Sequence, residues 1–368
     1  MMEATAQTLK TPPQRLGGIG DWLMRRSVAA VLVGITLLLG VFFWWLNTPA
    51  LEHLFIVSCI TLIYVMGFQL FMGNSGILAW SYVGFIGIGA YASSIFSMSP
   101  DFKHVATPLM YPLLQEITMP LPLAIIAGAA FSALIAALVA WPLMRLSGAA
   151  SVITHFALLI VINVLMLQWA EVTNGPRNFT VSFTPQVGFW TVLVVALVAI
   201  VGAFLFKESS LGLRLRASRD DRYAASTSGI NVIAVRYFSF VVSCFVGAIG
   251  GGLFAHFILD FTGHTFYISE LFVILSMVVI GGPMSVSGSY FGTILVAAGR
   301  YGLRQFEALM KANHGFDMTG TTEIILSFLM IGFLIWKANG ISEGHELNLA
   351  SIFKRKKSMP KQAEGVSS

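Results

Sequence analysis

Lys207-Glu-Ser-Ser-Leu-Gly-Leu-Arg-Leu-Arg-Ala-Ser-Arg-Asp-Asp-Arg-Tyr-Ala-Ala-Ser-Thr-Ser-Gly-Ile-Asn-Val-Ile233 is a polar, arginine-rich island between two long apolar runs. Arg214, Arg216, Arg219 and Arg222 crowd into it, with Asp220 and Asp221 between them. A chain that is otherwise lipid-embedded and keeps one such folded loop is expected to use it to touch something in the cytoplasm. The plainer reading is an orientation anchor, because basic loops of membrane proteins collect on the cytoplasmic side.

Outward from the island, composition sets the class. The chain has 368 residues, 56% of them hydrophobic and 11% charged, with a mean hydropathy of +0.80. A soluble domain carries about 25% charge. So few charges do not cover a water-facing globule of this size, and lipid must be the solvent for most of its surface. The net charge of +5 sits in loops and tails, which is orientation bias and not a nucleic-acid footprint. Cys59 and Cys244 each lie inside an apolar run, so neither a disulfide nor a metal site is indicated.

Apolar runs of spanning length cover 27–46, 54–72, 76–98, 121–144, 150–170, 188–206, 234–259 and 321–338. The stretch 270–304 differs. Its first apolar part stops at Gly281-Gly282-Pro283, and a second resumes after Gly288. Proline removes an amide donor and the glycines loosen the backbone, so the expectation is a hinge there: two helices meeting at a turn, or a re-entrant half-helix. Counting it as two crossings predicts an all-α integral membrane protein of about ten spans. Arg15, Arg25 and Arg26 place the N-terminus inside, as an uncleaved cytoplasmic segment 1–26 ahead of a transmembrane domain 27–340. Six spans then put 207–233 in the cytoplasm, and the basic tail Lys354-Arg355-Lys356-Lys357 requires an even number of spans after it. The tail 341–368 is polar and expected to be disordered. The proline-rich external loop 99–120 is expected to be ordered against the membrane surface.

No G-x-x-x-x-G-K-[ST] run occurs, so the chain is not expected to hydrolyse ATP itself, and no Cys/His cluster suggests a metal. The third span is read as opening Gly73-Asn74-Ser75-Gly76 and continuing to Gly84, Gly87, Gly89, Ala90 and Tyr91, small residues that let helices approach closely. Gly247 and Gly251 repeat that spacing. Gly288-Ser289-Tyr290-Phe291-Gly292 echoes Ser81-Tyr82-Val83-Gly84, a short match with the form of an internal duplication. Polar groups inside the apolar runs are few: Gln69, His155, Asn163, Gln168 and His256, with Glu171, Asp260 and Glu270 near span ends. No carboxylate sits deep enough to demand an ion relay, which argues against a self-sufficient ion-driven carrier. His155 and Asn163, about 12 Å apart along one helix, are candidates to line a solute path with Asn74 and Ser75, or simply to bond neighbouring helices. Ser75 with His256 has the form of an intramembrane serine-protease dyad, but the topology puts the two near opposite faces.

With these residues in view, the chain resembles the permeases of ATP-binding-cassette importers of the branched-chain amino-acid class, M-type subunit. Gly73-Asn74-Ser75-Gly76 through Gly87-Ile88-Gly89-Ala90-Tyr91 is similar to the family's G-Q-x-S…F-x-G-I-G-A-Y. Leu211-Gly212 through Arg216-Ala217, Arg219-Asp220-Asp221, Ala224-Ala225 and Gly229-Ile230-Asn231 resembles its cytoplasmic segment. Met277-Val278-Val279-Ile280-Gly281-Gly282 with Ser285, Gly288 and Gly292 resembles its M-V-V-x-G-G run. The resemblance implies that Arg216 to Asn231 is a coupling helix docking on a separate ATPase. Arg216, Arg219, Asp220 and Asp221 would make charged contacts, Ala224 and Ala225 would pack closely, and Gly229 would turn the chain back. It implies no cofactor for this chain, ATP being bound by two ATP-binding cassette subunits. It also implies a second, H-type permease forming a heterodimer, a periplasmic or extracellular solute-binding protein, and the bacterial inner membrane. Asn74-Ser75-Gly76, the run Thr173 to Phe179 and Pro283-Met284 depart from the family pattern where solute would pass. The wider class also moves urea, amides and carboxylates.

Overall fold

The computed structural model of the chain describes residues 19–314, 320–336, 340–342 and 346. The regular structure of the described residues is helical apart from one two-residue strand pair. Long helices come first: α1 (Ile19–Leu46), α2 (Pro49–Ser75) and α3 (Tyr82–Ser97). Two short ones, α4 (Pro100–Ala106) and α5 (Pro112–Glu116), lead to α6 (Leu121–Arg145), α7 (Ala149–Gln168) and the single turn α8 (Ala170–Thr173). Strand β1 (Phe179–Thr180) precedes α9 (Phe189–Glu208), α10 (Ser210–Asp220), α11 (Arg222–Thr227) and α12 (Val232–Ile258). Strand β2 (Asp260–Phe261) and a 3-10 turn (Gly263–Phe266) lead to α13 (Ile268–Gly281), α14 (Val286–His314) and α15 (Thr321–Trp336). Seven of the described helical stretches are long and apolar enough to cross a bilayer, and α3 is a shorter apolar helix of 16 residues.

Helix α2 is apolar all round, as a helix buried on every side must be. Its most apolar window is 83% buried, against 22% for α1 at the periphery. Around it pack α9, α12 and α14, and α12 in turn packs against α3 and α6. Their contacts run through small residues: a Cβ on Gly89 would strike Ala248, one on Gly128 would strike Ser93, and one on Gly251 would strike the Ile86 carbonyl. Gly67 and Gly247 both crowd the Tyr82 hydroxyl, which donates to the Tyr64 carbonyl at 2.9 Å. This is the close helix approach expected of Gly247 and Gly251.

Two boundaries differ from expectation. Gly73, Asn74 and Ser75 do not open the third span; they finish α2. Gly76 stops that helix in the left-handed conformation (φ 69°), its amide bonded to the Met72 carbonyl at 2.8 Å. Residues 77–81 are not helical, and α3 begins only at Tyr82. The first helix, in turn, starts at Ile19, so Arg25 and Arg26 lie within it and not ahead of it.

The broken region is two helices meeting at a turn. Only Gly282, at φ 115°, needs a glycine's backbone. Gly281 and Gly288 are helical, and they are small for another reason: each sits against the other's carbonyl, so α13 and α14 touch backbone to backbone. The two halves of the short sequence echo also part company. Tyr82 bonds Tyr64, whereas Tyr290 bonds the Thr36 hydroxyl of α1 at 2.8 Å.

Basic residues gather at one end of the bundle. Arg145 lies over Trp141, whose ring meets Tyr237 in the first turns of α12, beside the arginine island. At the opposite end β1 pairs antiparallel with β2, Asn178 donates to Asp260 at 2.7 Å, and Trp44 meets Trp190. There α4 and α5 order the 99–120 loop. Buried Lys103 donates to the Leu114 carbonyl at 2.9 Å and to that of Ile117.

Candidate functional site

The arginine island folds as an elbow of two short helices, not as one coupling helix. Ser209 caps α10 by accepting from the Gly212 amide at 3.2 Å. Asp221, extended between the helices, caps α11 by accepting from Tyr223 at 2.8 Å and Ala224 at 3.0 Å. Gly229 at φ 81° closes α11, with the Ile230 amide returning to the Ala225 carbonyl at 3.1 Å. Asn231 then caps α12 through the Ala234 amide at 3.1 Å. Each helix start of the elbow therefore has an acceptor for an orphan amide, and the end of α11 has a donor for an orphan carbonyl.

The expected contact residues divide by direction. Arg219 lies across the end of α2 and donates to the Gly73 carbonyl at 3.0 Å, while pairing with Asp220 at 3.0 Å. Arg216 donates to the Lys207 carbonyl at 2.9 Å. Both carbonyls belong to the last turns of membrane helices, where no intrahelical donor remains. The two arginines thus brace the elbow to the bundle. Ala225 is buried at 5% exposure within the chain's own elbow. Asp220, Asp221 and Ala224 are exposed. Tyr223, 84% exposed, and Leu213, 52% exposed, were missed; they are the large apolar groups on the solvent side of the elbow. No periodicity in the island distinguishes them from inward positions.

A second cluster adjoins the first. The Pro283 carbonyl in the α13–α14 turn accepts from Gln69 of α2 at 2.8 Å, and Ser289 donates back to Gln69 at 3.0 Å. Residues 340–342 lie along the turn, with the Ile341 amide on the Ile280 carbonyl at 2.9 Å and Ser342 on Gly281 at 3.1 Å. Glu346 caps the start of α14, accepting from the Val286 and Ser287 amides at 2.8 and 3.1 Å and from the Ser287 hydroxyl at 2.6 Å. It also pairs with Lys207, whose ammonium donates to the Met284 carbonyl at 2.8 Å. Part of the tail expected to be disordered, 341–342 and 346, is therefore docked; the other residues of 341–368 lie outside the described residues. Burial on its own would raise the Glu346 carboxyl, but the Lys207 ammonium and the Ser287 and Val286 donors hold it below the usual carboxylate value.

The candidate path residues do not converge. Asn74 donates to its own helix at Leu70, 3.0 Å away, and Ser75 accepts from Ile77 at 3.1 Å. On α7, His155 bonds Ser81 at 2.8 Å and Asn163 donates to the Gly263 carbonyl at 2.8 Å. His155 Nε2 is buried without a hydrogen-bond partner among the described residues. His256 bonds Ser97 at 2.6 Å and the Gly252 carbonyl at 2.7 Å, so the Ser75–His256 pairing is not made. Beside α7 runs an apolar cleft of about 550 Å³ lined by residues such as Phe85, Phe131, Ile135, Leu158 and Ile162, a poor surface for a polar solute.

Comparison with known proteins agrees with this geometry. Residues 50–334 match the family model described as "Branched-chain amino acid transport system / permease component". The high-affinity branched-chain amino acid permease protein LivM of Salmonella typhimurium is 24% identical over 321 residues, covering 77% of this chain and 69% of the relative. The guanosine ABC transporter permease NupQ of Bacillus subtilis is 35% identical over 115 residues, 30% of this chain and 35% of that protein. The nucleoside permease NupC of Lactococcus lactis is 26% identical over 172 residues, 41% and 51% of the two chains. A family match that runs from the start of α2 into α15, on a membrane bundle with one braced polar elbow, places the chain in the branched-chain amino acid transport system permease family, as a permease subunit of an ATP-binding-cassette importer.

Proposed function

We propose that the elbow 209–231 is the docking element for separate ATPase subunits on the cytoplasmic side of a bacterial inner membrane. One observation carries this reading: an exposed face with Leu213, Ala224 and Tyr223 stands on an elbow that Arg219 braces to the end of the central helix α2. An element that only marked orientation would need charge, but neither caps nor a brace. The ATP-driven closure of two ATPase subunits would push this elbow and tilt α2 with it. The chain would form half of the path with a second, H-type permease, be fed by a solute-binding protein, and cross the membrane about ten times with both termini inside. Its solute is a branched-chain amino acid or a related small polar molecule; the nucleoside names of some relatives widen that class. His155, whose buried Nε2 has no partner among the described residues, and Asn163 on the same helix would lie beside the path, with Asn74 and Ser75 towards its cytoplasmic end.

Co-purification with the candidate ATPase tests the docking. Tyr223→Ala combined with Leu213→Asp should abolish association while the permease retains its melting temperature. Asp220→Lys should weaken it. Asp221 is less informative, because its loss also uncaps α11. Unchanged association of the double variant, or solute transport by the chain without any ATPase, would sink the reading.

A further inference from the structure

Lys207 lies at the meeting point of three elements. It is two residues from the Ser209 cap, and its side chain is 7% exposed. Its carbonyl holds the elbow through Arg216, while its ammonium reaches the α13–α14 turn at Met284 and the carboxylate of Glu346. Glu346 spreads over the first turn of α14, taking donors from Ser285, Val286 and Ser287. The same turn is tied to α2 by Gln69, and the end of α2 returns to the elbow through Arg219. The links close a ring: elbow to α2, α2 to turn, turn to elbow.

We propose that Lys207 and Glu346 are positioning residues for transport, a joint that carries movement of the elbow to the α13–α14 turn. This rests on the docking role of the elbow proposed above. A hinge with one attachment can swing without moving its neighbour. Two attachments on different sides of the same elbow make the end of α2 and the head of α14 move with it as one body. A largely buried ion pair suits this purpose, because pulling the charges apart leaves each desolvated and unpaired. The hydroxyl and amide donors on Glu346 fix its direction, so force passes along the axis of α14 instead of being lost in side-chain rotation. A staple that merely tidied the tail would need no contact with the base of the elbow.

The test is reconstitution of the full chain with its permease partner and ATPase subunits in vesicles. Solute uptake per ATP hydrolysed is the readout, and the amount of assembled complex is measured in parallel. Glu346→Gln and Lys207→Met should assemble as wild type yet lose roughly tenfold in uptake per ATP, with ATP hydrolysis continuing. Lys207→Arg keeps the charge and donors and should recover most of the coupling. If wild type binds the ATPase and the two neutral variants couple normally, or lose uptake only in proportion to lost complex, the joint is wrong and the docking survives. If wild type does not bind the ATPase at all, the docking reading fails and the joint falls with it.

Discussion

Arg219 and Asp220 are neighbours with opposite consequences. Arg219 answers a carbonyl at the end of α2 that has no other donor in its helix, so Arg219→Met leaves that group short of a partner. Loss of stability of about 1–3 kcal/mol is expected. Asp220 is 70% exposed in its side chain, and Asp220→Asn should change stability by roughly 0–1 kcal/mol. Thermal melts in detergent distinguish the two; equal shifts would remove the brace from the argument. Lys103 in α4 gives a pH signature at the other end. Burial pulls its ammonium down to about 8 from 10.5, and the neutral amine still has the hydrogens for both carbonyls. The unfolded loop binds the extra proton between those values, so its folded form gains stability as pH rises from about 8 towards 10.5. Chymotryptic cleavage after Phe102, corrected for protease activity, should slow over that range in wild type and stay level in Lys103→Met.

Between elements, the α13–α14 contact is set by atoms too close for a methyl group. Gly281→Ala forces a Cβ onto the Gly288 carbonyl, and overpacking of this kind costs about 1–3 kcal/mol. Gly299 lies in the same helix pair with open space around its Cα, so Gly299→Ala should be neutral or stabilising by roughly 0.5–1 kcal/mol. A Gly281→Ala chain that melts with wild type would contradict the packing described. Glu346 fixes the sign of an acid effect. Its folded value lies below the ordinary 4.5, so the unfolded carboxyl takes its proton first as pH falls. The latch is at full strength above 4.5 and fails only as acidity drives below it, with Lys207, Arg216 and Glu208 the charged groups around the pair. The acid part of the wild-type melting curve should therefore be shallower in Glu346→Gln.

For the bundle in its bilayer, orientation is the open quantity to be measured. Cys59 and Cys244 are buried at 3% and 0% exposure, so the native thiols give a quiet background for labelling. Ser228→Cys should react only with reagent admitted to the cytoplasmic side, and Leu113→Cys only from outside; the reverse result would invert the topology and detach any motor from the elbow. Much of this arrangement was legible before the structure. The island, the break at 281–283 and the ordered 99–120 loop are each local: a change in hydropathy, a Gly-Gly-Pro run, a spacing of prolines. The end of α2 was misread because Ile77, Leu78, Ala79 and Trp80 continue the apolar signal past the Gly76 cap. Hydropathy sees a bilayer's worth of carbon and not the left-handed residue inside it.

Membrane class, an all-helical chain and one polar elbow near its middle follow from the amino acids alone, because each depends on sums over neighbouring residues that no folding partner can reverse. Which arginines turn inward, why Gly281 and Gly288 must be small, and what Glu346 is for were decided only by tertiary structure. Each answers an unpaired carbonyl, a facing backbone or a bare helix end belonging to a segment far away in the chain. Such groups lose water as a partner only after the helices have been brought together, so nothing local in the sequence marks what replaces it.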